Sequence, residues 1–438
     1  MNDNIPSIQK EIGEIISLHE KGLFKEALKK TDVLSNANPN NALIFNAYGI
    51  IYASLKNFEK SVNFFSKAIN LQPEYIKAHN NLGNVLTHLG RFEEASQCYA
   101  KIVKLKPDFA EAHFNLGKSQ NILGKLEESI HCYTKAIELK PNYTEARTDL
   151  IKILTYHNPK KESSNTYVLT NKLLQSTYLN FNAKQQISDS NVADFFQRCN
   201  DIVVKNINNL NTEEVQIYRR NVFKFNCERH LKIFDTYNVI PKNCFGCYKV
   251  QIGLKTVMEL FKLYFVFDNL NLKNNNHRKC MIEFRTDIPG AYKGYVYCFS
   301  LDEANSIEAQ LTEILNKTIV KNFIIKVKRG CSEFGIAYPD YKDPKKNMKY
   351  NEDWRSKEKI IDEELIKKDH SAKIVLTKSL TGTTIRDILI MRNWLSYAKT
   401  VGDLSYKKIF EKTTISPFIE KQLSDQLSQR SREFEYVS

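Results

Sequence analysis

No stretch of this 438-residue chain is long and apolar enough to cross a bilayer; the most apolar, MELFKLYFVF, is interrupted by Lys262. The opening MNDNIPSIQKEIGEI has neither a basic n-region nor an apolar h-region, so no secretory leader is expected. Cysteine is sparse and odd in number: nine residues in a large chain suit a reducing compartment better than a disulfide framework. A cytoplasmic protein without a transmembrane segment is therefore expected. The common catalytic signatures are missing as well. There is no GxSxG, P-loop, GxGxxG or HExxH, and no cysteine triplet for an iron–sulfur cluster.

What is present is periodic. Gly49, Gly83 and Gly117 recur every 34 residues, as do Pro39, Pro73, Pro107 and Pro141. Ala27, Ser61, Ala95 and Ser129 keep the same interval, and so do the aromatics Phe65, Tyr99 and Tyr133. Small residues at fixed places let two antiparallel helices approach. The aromatics fill the space between them, and each proline follows a helix that it cannot continue. This pattern resembles the tetratricopeptide repeat family over Ile8 to Tyr143. The resemblance implies an α-solenoid that binds a protein or peptide partner. Four repeats are expected, the first irregular because Ile15 stands at its glycine position, and YTEARTDLIKILTY is expected to cap the stack.

In that family the first helix of each repeat lines the concave groove. Matching the register assigns Asn80, Asn81, Asn84 and His88 to it from one repeat, and Phe114, Asn115, Lys118 and Asn121 from the next. Side-chain amides both donate and accept, so such residues can hold the backbone of an extended peptide.

The remainder divides into a linker and helical bridge over 158–242, an α+β domain over 243–334, and a loop and helical region over 335–438, after the repeats and capping helix of 1–157. In the bridge, Val215, Tyr218, Val222 and Phe225 follow a helical spacing that predicts a helix over Thr212–Tyr237. From Cys247 the period changes. Alternating runs (CYKVQI, RKCMIEFRT, AYKGYVYCFS, NFIIKVKRG) interleave with two helical ones, giving the order βαββαβ of a ferredoxin-like domain. Of the net charge of +14, residues 1–158 contribute +2 and the rest +12. An acidic partner such as nucleic acid is one expectation for that part.

Three groups could carry chemistry there. Lys293-Gly294-Tyr295-Val296-Tyr297 resembles the third-strand signature of the RNA-recognition motif, apart from Val296, with Ser300 in place of the last aromatic. Alternation puts Tyr295, Tyr297 and Phe299 on one face, with Arg285 and Lys326 expected around them to hold phosphates. Second, Cys227-x2-His230 and Cys244-x2-Cys247, separated by 13 residues, have the paired spacing of a structural zinc site. Third, Cys331 follows Gly330 at the end of a strand, where Lys328 and Arg329 would favour its thiolate.

The reading favoured by these patterns is a non-enzymatic adaptor that binds a partner in its groove and presents a basic C-terminal module. RNA binding through the tyrosine face is one alternative. A peptide- or protein-modifying transferase with repeat-recruited substrates is another.

Overall fold

The computed structural model describes residues 5–160, 164–177, 182–207, 210–219, 227–286, 288–319, 323–343, 346, 348–368, 381–424, 426–432 and 434. The chain forms two compact units, one of Met1–Leu150 with Leu365–Val375, the other of Ile151–Glu364 and Leu376–Ser438. No helix among the described residues is long and apolar enough to cross a membrane.

The first unit is built of helix pairs: α1 (Ile5–Glu20) and α2 (Phe24–Ala37), α3 (Ala42–Ser54) and α4 (Phe58–Leu71), α5 (Ile76–His88) and α6 (Phe92–Leu105), α7 (Ala110–Ile122) and α8 (Leu126–Leu139). Between Ile8 and Tyr143 there are only helices and turns. The repeat spacing explains each pair. A Cβ on Gly83 would fall 2.8 Å from the Tyr99 ring, and one on Gly117 2.8 Å from that of Tyr133. Glycine is what allows the ring in. Ser61 and Ser129 hydroxyls each donate to the facing carbonyl, of Gly49 and Gly117, at 2.7 Å. Tyr48, Leu82 and Leu116 are buried, as expected for the seams between repeats, and so is Ile15. A second 34-residue feature emerges here: Nε2 of His79 and of His113 lies 2.9 Å from the carbonyls of Pro73 and Pro107, tying each helix start to the turn before it. A further helix, α9 (Thr144–Leu154), follows the last repeat.

The second unit begins with α10 (Thr166–Ser176) and α11 (Asp189–Asn206). The expected helix over Thr212–Tyr237 is not what forms. Gln216–Arg219 is a strand, β1, and a helix starts only at α12 (Cys227–Tyr237). Positions 220–226, including Val222 and Phe225, lie outside the described residues. The same stretch also alternates: Val215, Ile217 and Arg219 are buried, while Gln216 and Tyr218 are partly exposed. Pairing with an edge strand selects this period over the helical one.

After a short 3-10 turn at Lys242–Gly246 come β2 (Tyr248–Leu254), α13 (Val257–Asn269), β3 (Arg278–Ile282), β4 (Tyr292–Cys298), α14 (Leu301–Thr318) and β5 (Ile324–Arg329). They form one five-stranded antiparallel sheet in the order β1-β3-β4-β2-β5. Val250, Ile252, Val296 and Cys298 share its fully buried face. α13 packs there so closely that a Cβ on Gly294 would overlap Leu263. The remaining helices are α15 (Ser332–Ala337), α16 (Pro339–Lys342), α17 (Arg355–Lys368), α18 (Ile385–Val401), α19 (Tyr406–Phe410), α20 (Pro417–Leu423) and α21 (Leu427–Ser431). Thr384 caps α18 and forms a reciprocal capping box with Asp387. Near the C-terminus Phe434 is buried with its ring 5.8 Å from that of Tyr292, while 435–438 lie outside the described residues.

Candidate functional site

All eight residues expected to line a groove lie on α5 and α7, the first helices of two consecutive repeats. The scaffold itself uses several of them. Asn81 Nδ2 donates to Asn46 Oδ1 at 3.0 Å, so this amide links two repeats. Asn84 Oδ1 accepts from the Tyr99 hydroxyl at 2.8 Å, and the exposed His88 ring stacks on Phe58 at 5.7 Å. Phe114 packs between Tyr133 and Tyr143, with Lys118 Nζ 5.7 Å above its ring. Asn80, Asn115 and Asn121 are half-buried, and Lys118 is exposed. The Asn46–Asn81 bond joins positions one register step apart, so the amides do not form a simple ladder of equivalent places.

In the second unit, Cys227, His230, Cys244 and Cys247 line one cavity of about 600 Å³ together with Lys249 and Cys331. Local structure explains the convergence. Cys244 lies within the 3-10 turn and Cys247 directly follows it, and Cys247 N–H donates to the Cys244 carbonyl at 3.1 Å. Gly330 N–H donates to the Cys247 carbonyl at 2.7 Å, which brings the end of β5 beside that turn. Gly330 has φ +57°, and the Tyr341 hydroxyl occupies the place a Cβ would need, while donating to the Cys244 carbonyl at 2.7 Å. Only glycine fits there.

All nine cysteines are free thiols. Among the described residues, no group of three or more His, Cys, Asp or Glu side chains is arranged to hold a metal ion. The hydrogen bond from Cys227 and the Lys249 charge pull the Cys331 thiol below its ordinary value, against burial. The Cys227 thiol is pushed up by the same bond and by burial, so it keeps its proton. Burial raises Cys244 and Cys247. His230 is buried and held below its usual range by desolvation and Arg229; among the described residues its Nε2 has no hydrogen-bond partner. The cation beside Cys331 Sγ is Lys249, whose Nζ lies 3.6 Å away. Arg329 stands over the Tyr248 and Tyr341 rings instead. Lys249 was hidden from sequence reasoning because it reaches Cys331 only through the pairing of β2 with β5.

The aromatic face expected for RNA is not presented. Tyr295 and Tyr297 are each 9% exposed. The register places Lys279 opposite Tyr295 and Lys249 opposite Tyr297, and each ammonium sits over its partner's ring, at 5.3 and 5.2 Å. The basic groups that would have held phosphates cover the rings that would have stacked on bases. Lys293 is buried 3.7 Å from Glu283, and Arg285 pairs with Glu283 and Glu333. Phe299 and Lys326 remain exposed.

Family models for the tetratricopeptide repeat match residues 110–143, and for the TPR repeat residues 49–90 and 83–120. No family model matches the rest of the chain. None of the curated proteins matches it. Among solved structures, one that is similar is residues 41 to the end of MamA from Desulfovibrio magneticus RS-1: 23% identity, 35% of this chain and 85% of that chain covered, TM-score 0.32. Another is the first TPR of Spaghetti (RPAP3) bound to the HSP90 peptide SRMEEVD: 26% identity, 26% of this chain and 90% of that chain, TM-score 0.25. Glycine–aromatic packing at fixed intervals and the family models agree: residues 49–143 of this chain are tetratricopeptide repeats.

Proposed function

We propose that the chain is a protein-binding scaffold whose repeats hold an extended peptide along α5 and α7, while its second unit serves as a separate α+β module. The observation that carries the reading is the repeat packing itself. Gly83 and Gly117 seat Tyr99 and Tyr133 and so fix α5 and α7 on their second helices. The residues left with polar ends toward solvent on those first helices suit a peptide. Asn80 and Asn115 offer amides to its backbone, and the exposed Lys118 offers a charge to a carboxylate on it.

We further infer that β2 to β5 with α13 and α14 make a ferredoxin-like module, with β1 added at the edge. The strand order β3-β4-β2-β5 supports this, because each βαβ unit then has one antiparallel strand between its two strands. The RNA alternative has lost its stacking face, and scaffold binding does not depend on it.

The test is panning of a random peptide library against the immobilised full chain, followed by calorimetric titration of the selected peptide. Lys118→Glu is expected to weaken binding by about tenfold or more, ~1.4 kcal/mol, and Asn115→Ala by less. Selected peptides that bind the Lys118→Glu variant unchanged would place the binding surface elsewhere.

A further inference from the structure

We propose that the cavity between α11, α18 and the segment 410–417 binds a small organic carboxylate with an apolar body, and that Arg392 holds the carboxylate. The residues lining this cavity all belong to the second unit, so it shares none with the peptide groove.

The cavity has a volume of about 360 Å³, which is within the range of small-molecule pockets. Apolar side chains form much of its wall. Phe196, Leu389 and Leu395 are buried, while Val204 and Ile415 are exposed, so the cavity is open to solvent on their side.

Arg392 lines this space with its charge oriented but not neutralised. Its Nε donates to Oδ1 of the buried Asn200 at 2.8 Å, which fixes the plane of the guanidinium. Among the described residues its Nη2 is buried without a hydrogen-bond partner, and no carboxylate pairs with it. Burial holds the group below its ordinary value, with no neighbouring charge to offset that. Other arginines of the same unit are closed by acids. Arg386, on the same helix, meets Glu214 at 2.6 Å; Arg219 meets Asp268 and Asp387, and Arg229 meets Glu358 and Asp362. Desolvating a guanidinium without a counter-charge is costly, and an anion brought in from outside removes that cost.

The surroundings favour such an anion. No aspartate or glutamate is among the described residues that line the cavity, and the exposed Lys412 adds a second positive charge. A carboxylate matches the planar fork of a guanidinium. Much of the remaining polar wall is already used by the fold: Asn393 Nδ2 donates to the carbonyls of Thr212 and Glu214, and the Thr413 hydroxyl donates to that of Phe410. One anionic head on an apolar body therefore suits the site better than a phosphate, which needs donors on several sides.

The experiment is calorimetric titration of the purified full chain with hexanoate and with phenylacetate, beside hexanol and inorganic phosphate. At least one of the acids is expected to bind, with hexanol and phosphate weaker by about tenfold or more. Arg392→Met keeps the apolar stem and should weaken the acid by about tenfold or more while leaving hexanol unchanged. Circular dichroism checks that this variant is folded. Ile415→Glu, at an exposed position of the wall, places a like charge beside the carboxylate and should also weaken the acid, without disturbing the core. The proposal is overturned if neither acid binds at millimolar concentration, or if hexanol binds as tightly as hexanoate. It is also overturned if Ile415→Glu or a folded Arg392→Met binds the acids as the parent chain does. Phosphate binding more tightly than both acids would assign the cavity to an inorganic anion and remove the organic carboxylate.

Discussion

His277 lies between two tyrosines, with ring centroids 5.3 Å from Tyr218 and 4.8 Å from Tyr297. Burial, with a smaller contribution from Lys279, lowers its pKa to about 4. An unfolded chain takes up that proton near the ordinary value of ~6.5. The unfolded state therefore binds more protons than the folded one between those values, and stability falls as pH drops through the window. The contribution is intact above ~6.5 and is lost on the way to about 4, amounting to about 3 kcal/mol in all. Urea midpoints measured at neutral pH and at mildly acidic pH should differ less for His277→Gln than for the parent chain. Equal differences in the two proteins would show that this imidazole is not what makes the sheet acid-sensitive.

At the scale of elements, the second unit hangs on one buried arginine. Arg219 of β1 donates to both carboxylate oxygens of Asp387 on α18, at 3.2 and 2.9 Å, and to Asp268 on α13 at 2.8 Å. Asp387 also closes the cap of α18 by accepting from Thr384 N–H at 2.8 Å. One carboxylate thus places a helix and holds an edge strand. Asp387→Ala leaves a buried guanidinium short of a partner and is expected to cost about 3–5 kcal/mol, read as a drop in the denaturant midpoint. Arg219→Met combined with Asp387→Leu should recover part of that loss, because the uncompensated charge is gone. If the single variant is as stable as the parent, the pair is not holding β1 in place.

At the scale of the whole molecule, each unit has its own core, and the repeats are stabilised by neighbour-to-neighbour contacts. Gly83→Leu forces a side chain into the space of the Tyr99 ring and is expected to cost about 1–3 kcal/mol. The damage should stay in the first unit. Cys132, buried in the repeats, should be alkylated at lower urea concentration in this variant, while Cys280, buried in the sheet, should keep its profile. Asp387→Ala should do the reverse. Mass-spectrometric labelling of both thiols in one sample separates the cases. Parallel shifts of Cys132 and Cys280 would mean that the two units unfold as one.

The amino-acid sequence by itself determined the repeats. Their contacts are local: a glycine and the aromatic that fills its space are a helix and a turn apart, so composition at fixed spacing states both the element and its partner. It also pointed to the six βαββαβ elements, since periodicity is written in short windows. What it left open were choices among distant partners. Whether Gln216–Arg219 joins a helix or a strand depends on an edge of β3 that is more than fifty residues away and offers hydrogen bonds no local spacing reveals. Tyr295 and Tyr297 read as a binding face until the cross-strand register set a lysine over each ring. The charge beside Cys331 comes from a lysine 82 residues earlier in the chain, and Arg219 meets Asp387 across 168 residues. Only the folded sheet and the helices packed on it bring such groups within a few ångströms, and at that distance burial and charge shift their protonation.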